Sequence, residues 1–200
     1  MIEIFNTIEC TAQAEFNDKG SKFIAYAISI KNTDEFKFEL SKLKELHPKA
    51  VHFCFAYRLG IDKNNFRCSD DGEPNNTAGK PILNQIDAKQ ITNIMVVVVR
   101  YFGGILLGAQ GLVNAYKTAT QLALNQCNII QKPITKQIVL ETDYSFVSTL
   151  INYLKRHEIE ITKKQIELFC IIEIEITHSQ LIGLYQFAEN NFGKINFTKQ

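Results

Sequence analysis

In the stretch VHFCFAYR, alternation puts His52, Cys54, Ala56 and Arg58 on one face of a strand and Val51, Phe53, Phe55 and Tyr57 on the other. A thiol beside an imidazole could act as nucleophile and base. That chemistry needs a lowered thiol pKa and an oxyanion donor, and no pattern in the chain supplies either. A half-buried cysteine next to a satisfied surface histidine is the plainer expectation. No GxSxG or HExxH occurs, which removes the common serine-hydrolase and zinc-protease chemistries.

Carboxylates gather in DDGEPNNTAGKP, where Asp70, Asp71 and Glu73 offer the hard oxygens that magnesium prefers. Asp-Gly and Glu-Pro are also ordinary turn formers, and no other acidic cluster in the N-terminal part completes a hydrolase site. The expectation is therefore no metal, no cofactor and no catalytic residue. Asp70, Asp71, Gly72, Glu73, Thr77 and Gly79 then either order their own loop or form a binding loop for a partner.

The run MVVVVRYFGGILLGAQGLVNAY passes from an apolar strand through four glycines into a helix. Gly103 and Gly108 have the GxxxxG spacing of a phosphate loop, but Ala109 and Gln110 stand where the lysine and hydroxyl residue are needed. Nucleoside triphosphate hydrolysis is not expected on that ground. Two readings stay open: Gly103, Gly104 and Gly108 permit a tight turn and close helix packing, or they open a helix N-terminus that receives an anion.

Only four of the chain's cations are arginines, Arg58, Arg67, Arg100 and Arg156, against eighteen lysines. Three lie at strand ends or in the long polar loop, where a planar fork of donors suits phosphate or carboxylate. The alternative is internal pairing with Asp70, Asp71 or Glu73.

Periodicity supplies the elements that must hold these residues. Alternating IEIFNTIECTAQAEF and KFIAYAISI flank the turn NDKGS, which reads as a hairpin bent at Gly20. A helix capped at Asn32 or Thr33 runs toward Pro48, with His47 at its end. After the strand VHFCFAYRLG comes a polar loop of twenty-one residues, then a short helix from about Pro81 to Gln90, the valine strand, and a helix from about Gly108 to Cys127. The segment Asn128–Pro133 reads as a domain boundary, giving an N-terminal domain over 1–128. Residues 134–200 read βαββαβ, the ferredoxin-like order, with two strands joined near Lys163 and Lys164. Glu158, Glu160, Glu167, Glu173 and Glu175 are expected on the outward faces of its middle strands. The fold class is α+β.

A formal charge of +1 gives no global attraction to nucleic acid or membrane, so an anionic partner must meet a local patch. The start MIEIFNTIEC lacks a basic n-region and a long apolar core, and the expected location is the cytoplasm. Five widely spaced cysteines without CxxC argue against a zinc site and a disulfide framework.

The blocks KGSKFIAYA, HFCFAYRLG, DDGEPNNTAGKPIL and VVVVRYFGGILLGAQGLVNAY together resemble the IMPACT family, specifically its bacterial two-domain YigZ type. The resemblance implies an N-terminal domain with the fold of the second domain of a small-subunit ribosomal protein. It implies a C-terminal domain similar to the last domain of elongation factor G. It also implies a role in translation regulation, since eukaryotic relatives displace an activator from the general-control kinase. Lys19 to Ser21, Tyr57, Arg58, Asp70 to Pro74, Thr77 to Gly79 and Arg100 to Gly104 match the motifs. Asn75 and Asn76 stand where the family often has Ser-Gly, Leu106 and Asn114 where it often has cations, and Lys80 for a frequent arginine.

The resulting expectation is a non-enzymatic, translation-associated regulator that binds RNA or the ribosome. Lys22, Arg58, Arg67, Lys80 and Arg100 would converge with Gly103, Gly104 and Gly108 on an anion-receiving surface, while the acidic C-terminal domain offers a surface to a protein. The alternatives are a protein-interaction module with internally paired arginines, or a magnesium-dependent enzyme acting on a phosphorylated small molecule.

Overall fold

The computed structural model describes residues 4–62, 64–167 and 169–198. The part of the expected first strand before Ile4, and Lys63 in the expected long loop, lie outside them. Contacts divide the chain into one unit over Phe5–Lys132 and another built on the chain from Pro133 onward.

In the first unit the single alternating stretch at the N-terminus resolves into two strands, β1 (Ile4–Ile8) and β2 (Ala12–Asp18). Lys19 and Gly20 have φ of 44° and 77°, the left-handed pair that a two-residue hairpin demands, and the chain returns as β3 (Ser21–Ser29). Asn32 caps α1 (Thr33–Leu46), its side chain accepting from the Asp34 and Glu35 amides. There follow β4 (His52–Leu59), β5 (Asn65–Ser69), α2 (Gly79–Ala88), β6 (Ile94–Tyr101), α3 (Gly108–Gln126) and β7 (Ile129–Pro133). β5 lies inside the expected loop, because NFRCS has no clean period and is held as a strand by pairing with β4. β7 likewise replaces the expected linker and pairs with β1.

The sheet order is β2-β3-β6-β4-β5, antiparallel throughout. β6 is its centre, and Ile94 to Val99 are at most 1% exposed, which explains an unbroken apolar run. One face packs Phe23, Cys54 and Val98 under α2 and α3; the other packs Tyr26, Phe55 and Val97 under α1.

At the end of α1, His47 lies between two phenols, with Tyr26 Oη 2.7 Å from Nε2 and Tyr101 Oη 2.8 Å from Nδ1. Burial, then the charge of Lys22, holds its pKa below the usual imidazole value. Since the unfolded chain takes up this proton at higher pH than the folded one, stability is full above about pH 6.5 and falls as pH drops toward the folded pKa. Urea titrations at pH 7.5 and 5.5 are expected to show a larger loss for the native protein than for His47→Gln.

The second unit contains β8 (Thr135–Asp143), α4 (Tyr144–Arg156), β9 (Glu160–Ile166), β10 (Phe169–Thr177), α5 (His178–Asn190) and β11 (Ile195–Thr198). The order β11-β8-β10-β9, with both helices against one core, is the ferredoxin-like arrangement. Thr177 and Gln180 form a capping box at the start of α5.

Two expectations are corrected here. β9 and β10 join after Ile166, not at Lys163 and Lys164; these two lysines pair within the strands, opposite Glu173 and Ile172. The acidic set is also not one face of the middle strands. Glu158 sits after α4 with φ 54°, Glu167 follows β9, and Glu160 is on the edge strand β9. Glu173 lies 3.4 Å from Lys163 and Glu175 accepts from Thr135. Among the described residues no helix is long and apolar enough to cross a membrane.

Candidate functional site

The motif residues of the first unit meet at one corner of its sheet, and backbone approach comes first. The turn at Gly20 lies directly against the turn after β6: a Cβ added at Gly103 would stand 1.9 Å from the Gly20 carbonyl carbon. Only glycine permits that distance. Ser21 joins the two turns, its hydroxyl accepting from the Gly103 amide at 3.1 Å. Gly79 has a similar duty, since its Cβ would meet the Ser69 backbone nitrogen at 2.6 Å.

The acidic loop is built by its own carboxylates. Asp70 accepts from the amides of Asn76, Ala78 and Gly79 at 2.8–3.0 Å, so it closes the loop and occupies the N-terminus of α2, whose cap residue Ala78 offers no side-chain bond. Asp71 accepts from the Phe53 amide at 2.7 Å and pins the loop to the start of β4. Asn76 takes φ 63°, a left-handed conformation in which asparagine is one of the few enriched residues that carry a side chain. The departure from Ser-Gly therefore keeps the turn.

Glu73 points inward. Its Oε1 receives Arg100 Nη1 at 2.5 Å and the Tyr116 hydroxyl at 2.8 Å, with His52 Nε2 at 3.9 Å. Arg100 is 5% exposed and Glu73 8%, so neither charge is free to reach solvent. The guanidinium lies between the rings of Phe23 and Phe102, 5.4 and 5.5 Å from their centroids, while its buried Nε has no hydrogen-bond partner.

Cys54 and His52 do not form a catalytic pair. Cys54 is fully buried, its sulfur 2.9 Å from the Asp70 carbonyl and 3.2 Å from the Tyr116 hydroxyl. Burial pushes its pKa far above the ordinary thiol value, with Glu73, Asp71 and Asp70 adding to the effect. Burial pushes the Tyr116 phenol up as well. His52 donates Nδ1–H to the Asp71 carbonyl at 2.7 Å.

The cations do not converge. Arg100 faces the α2 and α3 side of the sheet near the start of β4, opposite His52. Arg58 is six positions along the same strand, about 20 Å away at the usual strand rise, and binds Asp87 through Nε and Nη2 at 2.7 and 2.6 Å. Arg67 is exposed and stacks 5.8 Å over Phe55, on the opposite face. Lys22, on that opposite face too, pairs with Glu15 at 2.7 Å, and Lys80 is exposed in the first turn of α2. The physical reason is pleating, which sends Lys22 and Arg67 to one face and Arg58 and Arg100 to the other.

Apolar surface takes the place of the expected hollow. Phe102, Ile105 and Leu106 are 47%, 55% and 83% exposed. Phe102 and Leu106 border a recess of about 460 Å³ that Val51, Pro74 and Leu112 also line, with His52 and the Glu73–Arg100 pair forming the polar part of its wall. Gly108 lines the recess, and both it and Gly104 take positive φ; Thr77 closes the acidic loop, its hydroxyl donating to the Pro74 carbonyl. Sequence reasoning missed Tyr116 as the third member of the buried cluster and Leu106 as a surface feature. The apolar run Ile105–Leu107 after the double glycine is a usable signal for Leu106; no pattern marks Tyr116.

A two-unit α+β protein with this glycine-clamped corner matches known proteins along its length. The Impact N-terminal domain model matches residues 19–124, and the chain belongs to the IMPACT family. An IMPACT family member from Haemophilus influenzae is 37% identical over 145 residues, covering 72% of this chain and 70% of that one. The IMPACT family member YigZ of Escherichia coli is 32% identical over 160 residues, covering 79% and 78%. A crystal structure of a hypothetical protein superposes over 100% of this chain and 98% of its own, with a TM-score of 0.81 at 27% identity.

Proposed function

We propose that this protein is a non-catalytic, translation-associated regulator whose N-terminal unit binds a protein partner at the corner formed by KGS, DDGEP and RYFGG. Family membership supports the translation setting, through the motifs that resemble IMPACT proteins. One observation carries the mode of binding: Arg100 is paired with Glu73 in the wall of a mostly apolar recess, while Phe102 and Leu106 stand open at its border, with the exposed Ile105 between them in sequence. Exposed apolar groups beside a rigid pocket are the features of a protein-binding hot spot. The absence of catalysis is supported by a buried, protonated Cys54 thiol and by acids already engaged with backbone amides and a guanidinium.

RNA binding is the second reading, favoured by the uncapped N-terminus of α3, which borders the recess. Capture from nuclease-treated and untreated lysate separates the two. The protein reading predicts a bound protein that survives nuclease and is lost on Leu106→Asp, with affinity down about tenfold or more. Loss on nuclease treatment with indifference to Leu106→Asp contradicts it.

A further inference from the structure

β1 and β7 form a ribbon whose register is fixed at its inner end by two bonds. The Glu9 amide donates to the Asn128 carbonyl at 3.1 Å, and the Asn128 side chain donates to the Glu9 carboxylate at 2.6 Å. Glu9 and Asn128 therefore face each other at the end of the ribbon, and the next residues outward are Cys10, in the bend after β1, and Cys127, the cap residue of α3. One further step of an antiparallel ladder brings Cα atoms to about 4.5 Å with side chains on the same face. A disulfide needs about 4.4–6.8 Å. Cys127 leaves α3 in extended conformation, φ −75° and ψ 135°, which is compatible with such a step. The two thiols also differ in access: Cys10 is exposed and Cys127 partly buried.

We propose that Cys10 and Cys127 form a cross-strand dithiol that is oxidised to a disulfide by low-molecular-weight disulfides such as oxidised glutathione. The exposed Cys10 thiolate attacks the reagent, forming a mixed disulfide and expelling one glutathione thiolate. Cys127 then gives up its proton to solvent and attacks the Cys10 sulfur, which expels the second glutathione thiolate. Two protein thiols and one glutathione disulfide become one protein disulfide and two glutathione thiols. Burial and the neighbouring Cys10 hold the Cys127 pKa up, which fits Cys127 as the resolving partner and not the entry point. Cytosolic glutathione keeps such a pair reduced, so the bond would mark disulfide stress.

The test is incubation of the folded, reduced protein with oxidised glutathione, acid quenching to stop exchange, unfolding in excess alkylating reagent, and peptide mapping. The five free thiols are expected to fall to three, with one peptide cross-link joining Cys10 and Cys127 and no retained glutathione. Cys127→Ser is expected to stop at a stable glutathione adduct on Cys10, and Cys10→Ser to lose the reaction. A native protein that keeps all five thiols, holds glutathione at Cys10, or cross-links between molecules overturns the proposal.

Discussion

Arg100→Ala is expected to lower the stability of the first unit by about 3–5 kcal/mol, because it leaves the Glu73 carboxylate buried without its cation. Glu73 is 4% exposed at its side chain, and the Tyr116 hydroxyl alone cannot replace the guanidinium. The same truncation empties the slot between Phe23 and Phe102. Arg100→Met combined with Glu73→Gln is expected to recover most of the loss, since replacing both partners removes the uncompensated charge. Urea unfolding of the two variants beside the native protein reads this directly. A cost below about 1 kcal/mol for Arg100→Ala would mean that the pair behaves as a solvated surface bridge.

Gly103→Ala is expected to do comparable damage for a steric reason. Its new Cβ would fall 1.9 Å from the Gly20 carbonyl carbon and 2.3 Å from the Ser21 nitrogen. These are backbone atoms, so no rotamer change relieves the clash and the two turns must part. The loss should reach or exceed the upper end of the about 1–3 kcal/mol typical of overpacking. Gly104→Ala is the control: its Cβ meets nothing within 4 Å, and only its φ of 85° is strained, which costs about 1–2 kcal/mol. Thermal melts should rank Gly103→Ala well below Gly104→Ala. Equal losses would remove the close approach as the reason for the double glycine.

Much of the fold is legible because local pattern and tertiary role agree. In the second unit β10 alternates cleanly and the βαββαβ order is legible from the pattern of elements, whereas β9 is exposed at nearly every position, so its Lys163 and Lys164 read as a turn. β5 is hidden because Asn65, Arg67 and Ser69 belong to an exposed edge strand, where pairing, not burial, fixes the backbone. β7 is hidden for the same reason, its lysine and proline reading as linker until β1 is laid beside it. At the candidate site the sequence narrows the choice of partners without making it. Internal pairing with Asp70, Asp71 or Glu73 is legible as an alternative, and Arg100 does choose Glu73. Arg58 instead chooses Asp87, which lies in a helix whose packing no local pattern reports. Tyr116 reads as a core residue on a helix face, and its hydroxyl becomes meaningful only when Cys54 and Glu73 are brought to it.

The central claim is that the corner presents shape and apolar surface while its key guanidinium is spent inside. A salt-dependent binding titration against ribosomal RNA, with Arg67→Ala, Lys80→Ala and Leu106→Asp alongside the native protein, tests it most directly. The account predicts weak RNA binding at physiological salt that none of the three changes alters appreciably. Tight binding with a steep salt slope that becomes shallower on Arg67→Ala or Lys80→Ala would contradict it, since it would show phosphates neutralised at these positions.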